Sequence, residues 1–232
     1  MGRKPGPLCG HDLGQDWIDS GTLAATRHLP PTHLGADGCG PGGKKPQLTD
    51  EVEIPLHINR GLSAPSEKFM ISLLGMPRQS FGDVCQPVTS KSLASLIEKV
   101  DLGKFEVNGL RPALTSLKNI LGQIRTLYPM VYSHLGTEGM LCCRRQRRSQ
   151  KISNHSWGTA IDLTICGKLD RWGNGRVQYG LTLIAPIFNN NLWVWGATYR
   201  REDGMHFEVS EQLLLKWKAD GVLAPKIVEH AY

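Results

Sequence analysis

Two histidines and an aspartate, His155, Asp162 and His206, are the residues of this chain whose types could do chemistry together. Imidazole nitrogens and a carboxylate oxygen form a donor set suited to a divalent metal such as zinc. Three protein ligands leave a fourth tetrahedral position for water, which is the pattern of a catalytic zinc site. His155 and Asp162 lie in SNHSWGTAIDL (153–163), where Gly158 gives the intervening turn a freedom and closeness that a side chain would deny. A water in the fourth position needs a base to take its proton and an electrophilic group to steady the anion that forms. Asp203 and Glu202, in the turn before His206, and Glu208, two residues after it, are the candidate bases. Arg144 has the planar fork that suits a substrate carboxylate or a developing oxyanion.

These side chains need elements to carry them. TAIDLTI (159–165) alternates, with Ile161, Leu163 and Ile165 on one face and Ala160, Asp162 and Thr164 on the other, so it predicts a strand with Asp162 pointing away from the core. MHFEV (205–209) repeats the logic, with Met205, Phe207 and Val209 opposed to His206 and Glu208. If the two strands pair, Asp162 and His206 meet. Upstream, Leu93, Leu96, Ile97 and Val100 sit at helical spacing in SKSLASLIEKVDL (90–102), with Ser90 or Ser92 as cap. Leu114, Leu117, Ile120, Leu121, Ile124 and Leu127 predict a longer helix over 110–128, with Pro112 in its first turn and Pro129 ending it. MLCC (140–143) reads as a short strand and LTLIAPIFNNN (181–191) as a helix packed on the sheet. LDRWGNGRVQYG (169–180) is a turn region. It departs from a calcium loop because Trp172 and Leu181 stand where oxygen ligands belong.

The rest of the chain is less specific. Residues 1–48 are rich in glycine and proline and read as a flexible arm, in which His11, His28 and His33 have no ligand spacing. A helical lead-in is expected over 49–104 and the functional domain over 105–232. At 232 residues, 40% hydrophobic and 21% charged, the chain can fold around its own core without a structural metal. The net charge of +6 favours a polyanionic partner: nucleic acid, an anionic membrane surface or the bacterial wall. Arg144, Arg145, Arg147, Arg148 and Lys151 supply part of it, as a patch or as a solvated loop. The six cysteines form no C-x-x-C pair and read as buried free thiols, although Cys142 or Cys143 could meet Cys166 or Cys85 in an oxidising compartment. No run approaches the roughly 18–20 apolar residues of a membrane span, and the start lacks the apolar segment of a secretory signal.

The pattern S-x-H-x-x-G-x-A-x-D (Ser153, His155, Gly158, Ala160, Asp162), followed by D-x-x-H (Asp203 to His206), resembles the zinc D-Ala-D-Ala carboxypeptidase and L-alanyl-D-glutamate peptidase superfamily over roughly residues 105–218. The resemblance implies a small α+β fold of Hedgehog/DD-peptidase type, a central antiparallel sheet with helices packed on one side. It implies one zinc ion per chain held by His155, Asp162 and His206, with Asp203 as general base and Glu202 in reserve. Arg144 takes the place of the upstream arginine, Ser153 that of a substrate contact, and Trp195 or Trp193 would wall the pocket. The implied activity is hydrolysis of peptidoglycan stem peptides, as a carboxypeptidase or an endopeptidase, by a monomer with no nucleic-acid partner. Its place would be the cell envelope, or outside the cell as a released lysin. A zinc-bearing binding module of the same fold, like the Hedgehog signalling domain, is the alternative, and the intact Asp203 speaks against it. A nucleic-acid binder working through the arginine cluster would show strongly salt-dependent affinity. The absence of aromatics within RRQRRSQK speaks against that.

Overall fold

The computed structural model describes residues 46–224. Most of the expected arm, with Cys9, Cys39 and the three histidines named there, lies outside the described residues. Residues 46–48 are described, and Leu48 is fully buried, its carbonyl accepting the Gly180 N–H at 2.8 Å.

The lead-in expected to be helical is mixed. A two-residue strand, β1 (Glu51–Val52), comes first, and α1 (Glu67–Leu74) follows. Ser66 caps that helix by accepting the Phe69 N–H, and Glu67 lies in its first turn. The stretch predicted as one helix over 90–102 divides into α2 (Lys91–Ala94), capped by Ser90, and the strand β2 (Ile97–Asp101). The hairpin to β3 (Glu106–Leu110) outweighs the helical spacing. Gly103, at φ 79°, closes its turn while Asp101 Oδ1 accepts the Gly103 N–H, and β-branched Ile97 and Val100 fit a strand better than a helix.

Next comes α3 (Arg111–Leu127), which matches its predicted span and buries Leu114, Leu117, Ile120, Leu121 and Ile124. Pro129 does end it, but also opens a further short helix, α4 (Pro129–His134), where a missing N–H costs nothing. An edge strand, β4 (Leu135–Gly139), follows. The predicted MLCC strand is absent: 140–153 is irregular, with isolated bridges from Gln86 to Cys143 and from Arg145 to Ile152. Cys142 forms a disulfide with Cys85, so the thiol expectation fails for this pair, whereas Cys143 is free and buried.

After one turn of 3-10 helix at Asn154–Trp157 the chain enters β5 (Ala160–Ile165), then β6 (Val177–Gln178), which pairs with β1. The remaining elements are α5 (Tyr179–Asn190), β7 (Trp193–Trp195), β8 (His206–Val209) and α6 (Glu211–Ala219).

The fold is α+β, with small antiparallel sheets and helices. The four-stranded sheet runs β4-β5-β8-β7, antiparallel throughout. Its apolar face carries Ile161, Leu163, Phe207, Val209, Trp193 and Trp195, all fully buried. Helices α3 and α5 cover that face. Phe188 of α5 packs on Phe207 with ring centroids 4.1 Å apart, and the Trp193 indole donates to the Ser116 hydroxyl of α3 at 3.0 Å. The opposite face carries Asp162, His206 and Glu208. A slip of one residue would drive these charged groups into the apolar core, so the two faces together fix the register.

Candidate metal centre

In the register of β5 against β8, Asp162 lies directly opposite His206. Side chains so paired leave the sheet on one face with Cβ atoms about 5 Å apart, close enough to share an ion. His155 arrives from the 3-10 turn, and Gly158, at φ 65°, lets that turn press against the start of α3. A Cβ there would come within 2.7 Å of the Leu110 nitrogen, and the Leu110 N–H donates to the Gly158 carbonyl at 2.9 Å. Only glycine satisfies both the backbone angle and the contact.

Three donor atoms converge. His155 Nε2 is 3.2 Å from Asp162 Oδ1 and 3.2 Å from His206 Nδ1, and His206 Nδ1 is 3.0 Å from Asp162 Oδ1. Ligands at 2.0–2.1 Å around a tetrahedral zinc are roughly 3.3 Å apart, so the observed triangle fits a metal of this kind. Among the described residues this is the one group of three or more such side chains that could hold a metal ion. The tautomers agree. His155 Nδ1 lies 2.9 Å from the Met140 carbonyl, to which it must donate, and this frees Nε2. His206 Nε2 faces Glu208 Oε2 at 3.6 Å, which frees Nδ1.

Glu208 therefore lies behind the three donors, against His206. It is 3% exposed and accepts from Asn154 Nδ2 at 2.5 Å and from the Tyr199 hydroxyl. Burial would raise its pKa, but the bonds and charge of His206 and the Tyr199 and Asn154 donors hold it low. Burial likewise opposes ionisation of Asp162, yet the charges and hydrogen bonds of His155 and His206 pull it far below the carboxylate range. His206 moves the other way: burial would lower it, and the hydrogen bonds and charges of Asp162 and Glu208 push it well up. The cluster holds two carboxylates that stay ionised and invite a cation.

A cavity of about 250 Å³ opens over the three donors. Of the candidate bases, Asp203 borders it with an oxygen to spare: among the described residues its buried Oδ1 has no hydrogen-bond partner. Burial pushes the Asp203 carboxyl up, the His206 charge offsets part of this, and the Asp162 charge adds to it. Glu202 is buried away from the cavity, its carboxylate bound by the Asn174 N–H. Glu208 touches the cavity with both oxygens engaged.

Arg144 and Arg147 both line the cavity, whereas Arg145 bonds Gln150 at 2.6 Å. Ser153 lines it as well. Trp195 does not. It lies on the apolar face, fully buried, stacked on Phe207 with its indole N–H on the Gly204 carbonyl, and Trp193 shares that face. The indole at the cavity is Trp172, together with Tyr199 and Arg201, none of which the sequence argument placed there. Their one signal in the sequence is position, in the turn region and just ahead of D-x-x-H.

Residues 147–209 match the family model described as D-alanyl-D-alanine carboxypeptidase, in the superfamily that the paired motifs resemble. The matched segment contains the three donors, Ser153 and Asp203, and begins just after Arg144. No curated protein and no solved structure matches the chain.

Proposed function

We propose that the chain is a zinc-dependent peptidase that cuts peptide bonds of bacterial peptidoglycan, either at a terminal D-alanine or within the stem peptide, and that its fold is of Hedgehog/DD-peptidase type. The observation that carries this is that Asp203, whose buried Oδ1 has no hydrogen-bond partner among the described residues, lines the same cavity as the His155, Asp162 and His206 donors. The match to a D-alanyl-D-alanine carboxypeptidase family supports both the metal and the substrate class.

A zinc ion held by the three donors would supply a Lewis acid for the scissile carbonyl and acidify a water. The chain's own residues do the rest. Asp203 takes the proton of the attacking water and passes it to the leaving amine, for which its raised pKa suits it better than an ordinary aspartate. Arg144 and Arg147 hold a substrate carboxylate or the developing oxyanion. We assign Ser153, on the cavity wall, as a substrate contact. Glu208, fixed by Tyr199 and Asn154, keeps His206 aimed. We assign the working form as a monomer at the cell envelope, or as a released lysin. Among the described residues no helix is long and apolar enough to cross a membrane.

The test is mass spectrometry of purified wall peptides incubated with zinc-loaded protein, beside His206→Ala. Cleavage that is lost in the variant is expected, and the product masses identify the bond. Intact peptides in both tubes, with one zinc still bound to the unaltered protein, would overturn the catalytic assignment.

A further inference from the structure

The outer edge of the four-stranded sheet, along β7, is met by side chains where another strand would lie. Strand β7 is the end strand, with β8 on its inner side. On its outer side the Trp195 N–H donates to Asn59 Oδ1 and the Trp195 carbonyl accepts from Asn59 Nδ2, both at 2.8 Å. One amide thus makes the pair of bonds that a neighbouring strand would make. Asn189, in the last turn of α5, donates from Nδ2 to the Trp193 carbonyl at 2.9 Å and to Asn59 Oδ1 at 2.8 Å, and its Oδ1 accepts the Asn59 N–H at 2.8 Å. Asn59 itself stands at φ 59°, a left-handed conformation that asparagine enters more readily than most residues.

The same amide reaches past β7. Its Nδ2 also donates to the Thr198 hydroxyl at 2.7 Å, so Asn59 holds the chain on both sides of Gly196. Oδ1 then accepts twice and Nδ2 donates twice, which uses every hydrogen-bonding position of the group. Gly196 is the link to the cavity: its carbonyl accepts the Asp203 N–H and the Tyr199 N–H, each at 3.0 Å. The packing is close, since a Cβ on Gly196 would come within 2.6 Å of the Asp203 carbonyl oxygen. A displacement of residues 195–198 is therefore passed on to Asp203.

We propose that Asn59 is a positioning residue: acting through Gly196, it fixes where the Asp203 carboxylate stands over the metal donors. The inference rests on the assignment of Asp203 as general base and deepens it. Asn59 lies in the lead-in, outside residues 147–209 that match the family model, so the working unit extends beyond the segment that carries the motifs.

The experiment compares the zinc-loaded protein with two variants. Asn59→Gly adopts φ 59° without strain and removes only the amide, whereas Asn59→Asp keeps Oδ1 and turns the donor into an oxygen facing the Trp195 carbonyl. Amide hydrogen exchange is followed in residues 196–206 and, as reference, in β5. Exchange about tenfold faster in 196–206, with β5 unchanged, is expected of both variants. On wall peptides, kcat per folded, zinc-loaded molecule is expected to fall about tenfold with KM held, because a displaced base is missed only in the transition state. An asparagine with a purely structural role would lower stability and leave that kcat alone, so a kcat within about twofold of the unaltered protein overturns the proposal. Unchanged exchange in 196–206 overturns it as well. Should Asn59→Gly exchange rapidly throughout β5 too, Asn59→Asp decides alone. If the unaltered protein cuts no peptide, the peptidase assignment fails by itself, and the exchange data still decide whether Asn59 holds the turn that carries Asp203.

Discussion

Replacing Glu208 by glutamine would separate a carboxylate that aims a metal ligand from one that only fills space. The side chain is 3% exposed, and its two oxygens face three donors: Asn154 Nδ2, the Tyr199 hydroxyl and His206 Nε2. Glutamine keeps the size but turns one oxygen into an NH2, which must then face a donor. The residue left unsatisfied costs the metal-free protein about 1–3 kcal/mol. The effect on the metal is distinct: a ligating histidine that loses its carboxylate partner typically weakens metal binding about 10- to 100-fold, or roughly 1.4–2.7 kcal/mol. Competition against a chromophoric chelator at fixed pH gives the zinc affinity, and urea unfolding in excess chelator gives the metal-free stability. Asp203→Asn, whose side chain borders the cavity but is not among the donors, is expected to bind zinc within about threefold of the unaltered protein. Zinc affinity in Glu208→Gln within the same threefold would refute the role of Glu208.

Two further outcomes follow from other parts of the molecule. Asp170 is 4% exposed, and burial, reinforced by the charges of Glu51, Glu202 and Asp203, pushes its carboxyl up to about 6 despite the Gln178 N–H on Oδ1. The fold then holds that proton more tightly than the unfolded chain does, so Asp170 withdraws stability as pH rises from about 4 to 6, by roughly 3 kcal/mol at most. Asp170→Asn should gain on the unaltered protein by up to that amount between pH 4 and pH 8 in urea unfolding with chelator present, and an unchanged difference at the two pH values would count against it. The Cys85–Cys142 disulfide closes a loop of 57 residues, worth about 4 kcal/mol by chain entropy. Cys85→Ser/Cys142→Ser should lose about 2–4 kcal/mol in urea unfolding. Equal stability of the two proteins would show that the crosslink constrains nothing.

The site was legible where a pattern had a single structural solution. Alternation in TAIDLTI and HFEV allowed one burial face, and that face placed Asp162 and His206 together. The helix over 111–127 was legible for the same reason. Segment 90–102 was not, because its apolar spacing suits a helix while its backbone partner, Glu106–Leu110, is recognised only once the Gly103 turn closes. Strand β4, LGTEG, has no alternation and owes its existence to the edge of β5. In WVW both faces look apolar, so the sequence could not say whether Trp195 faced the core or the cavity. Trp172 could not be assigned to the cavity because the fold of its loop around Arg201 is a tertiary matter. Glu208 was visible as a carboxylate on the right face, but its role depends on Tyr199 and Asn154, 9 and 54 residues away.

The opposition of Asp162 and His206 across neighbouring strands has a consequence for local unfolding. An ion shared by the pair would be a rivet through the centre of the four-stranded sheet, and His155 would add a third anchor from the turn that leans on α3. Strands β5 and β8 could then separate only by releasing the ion, so amide protons on both would exchange with solvent at a rate set by metal occupancy. The apolar face, packed under α3 and α5, would report on a ligand it never touches.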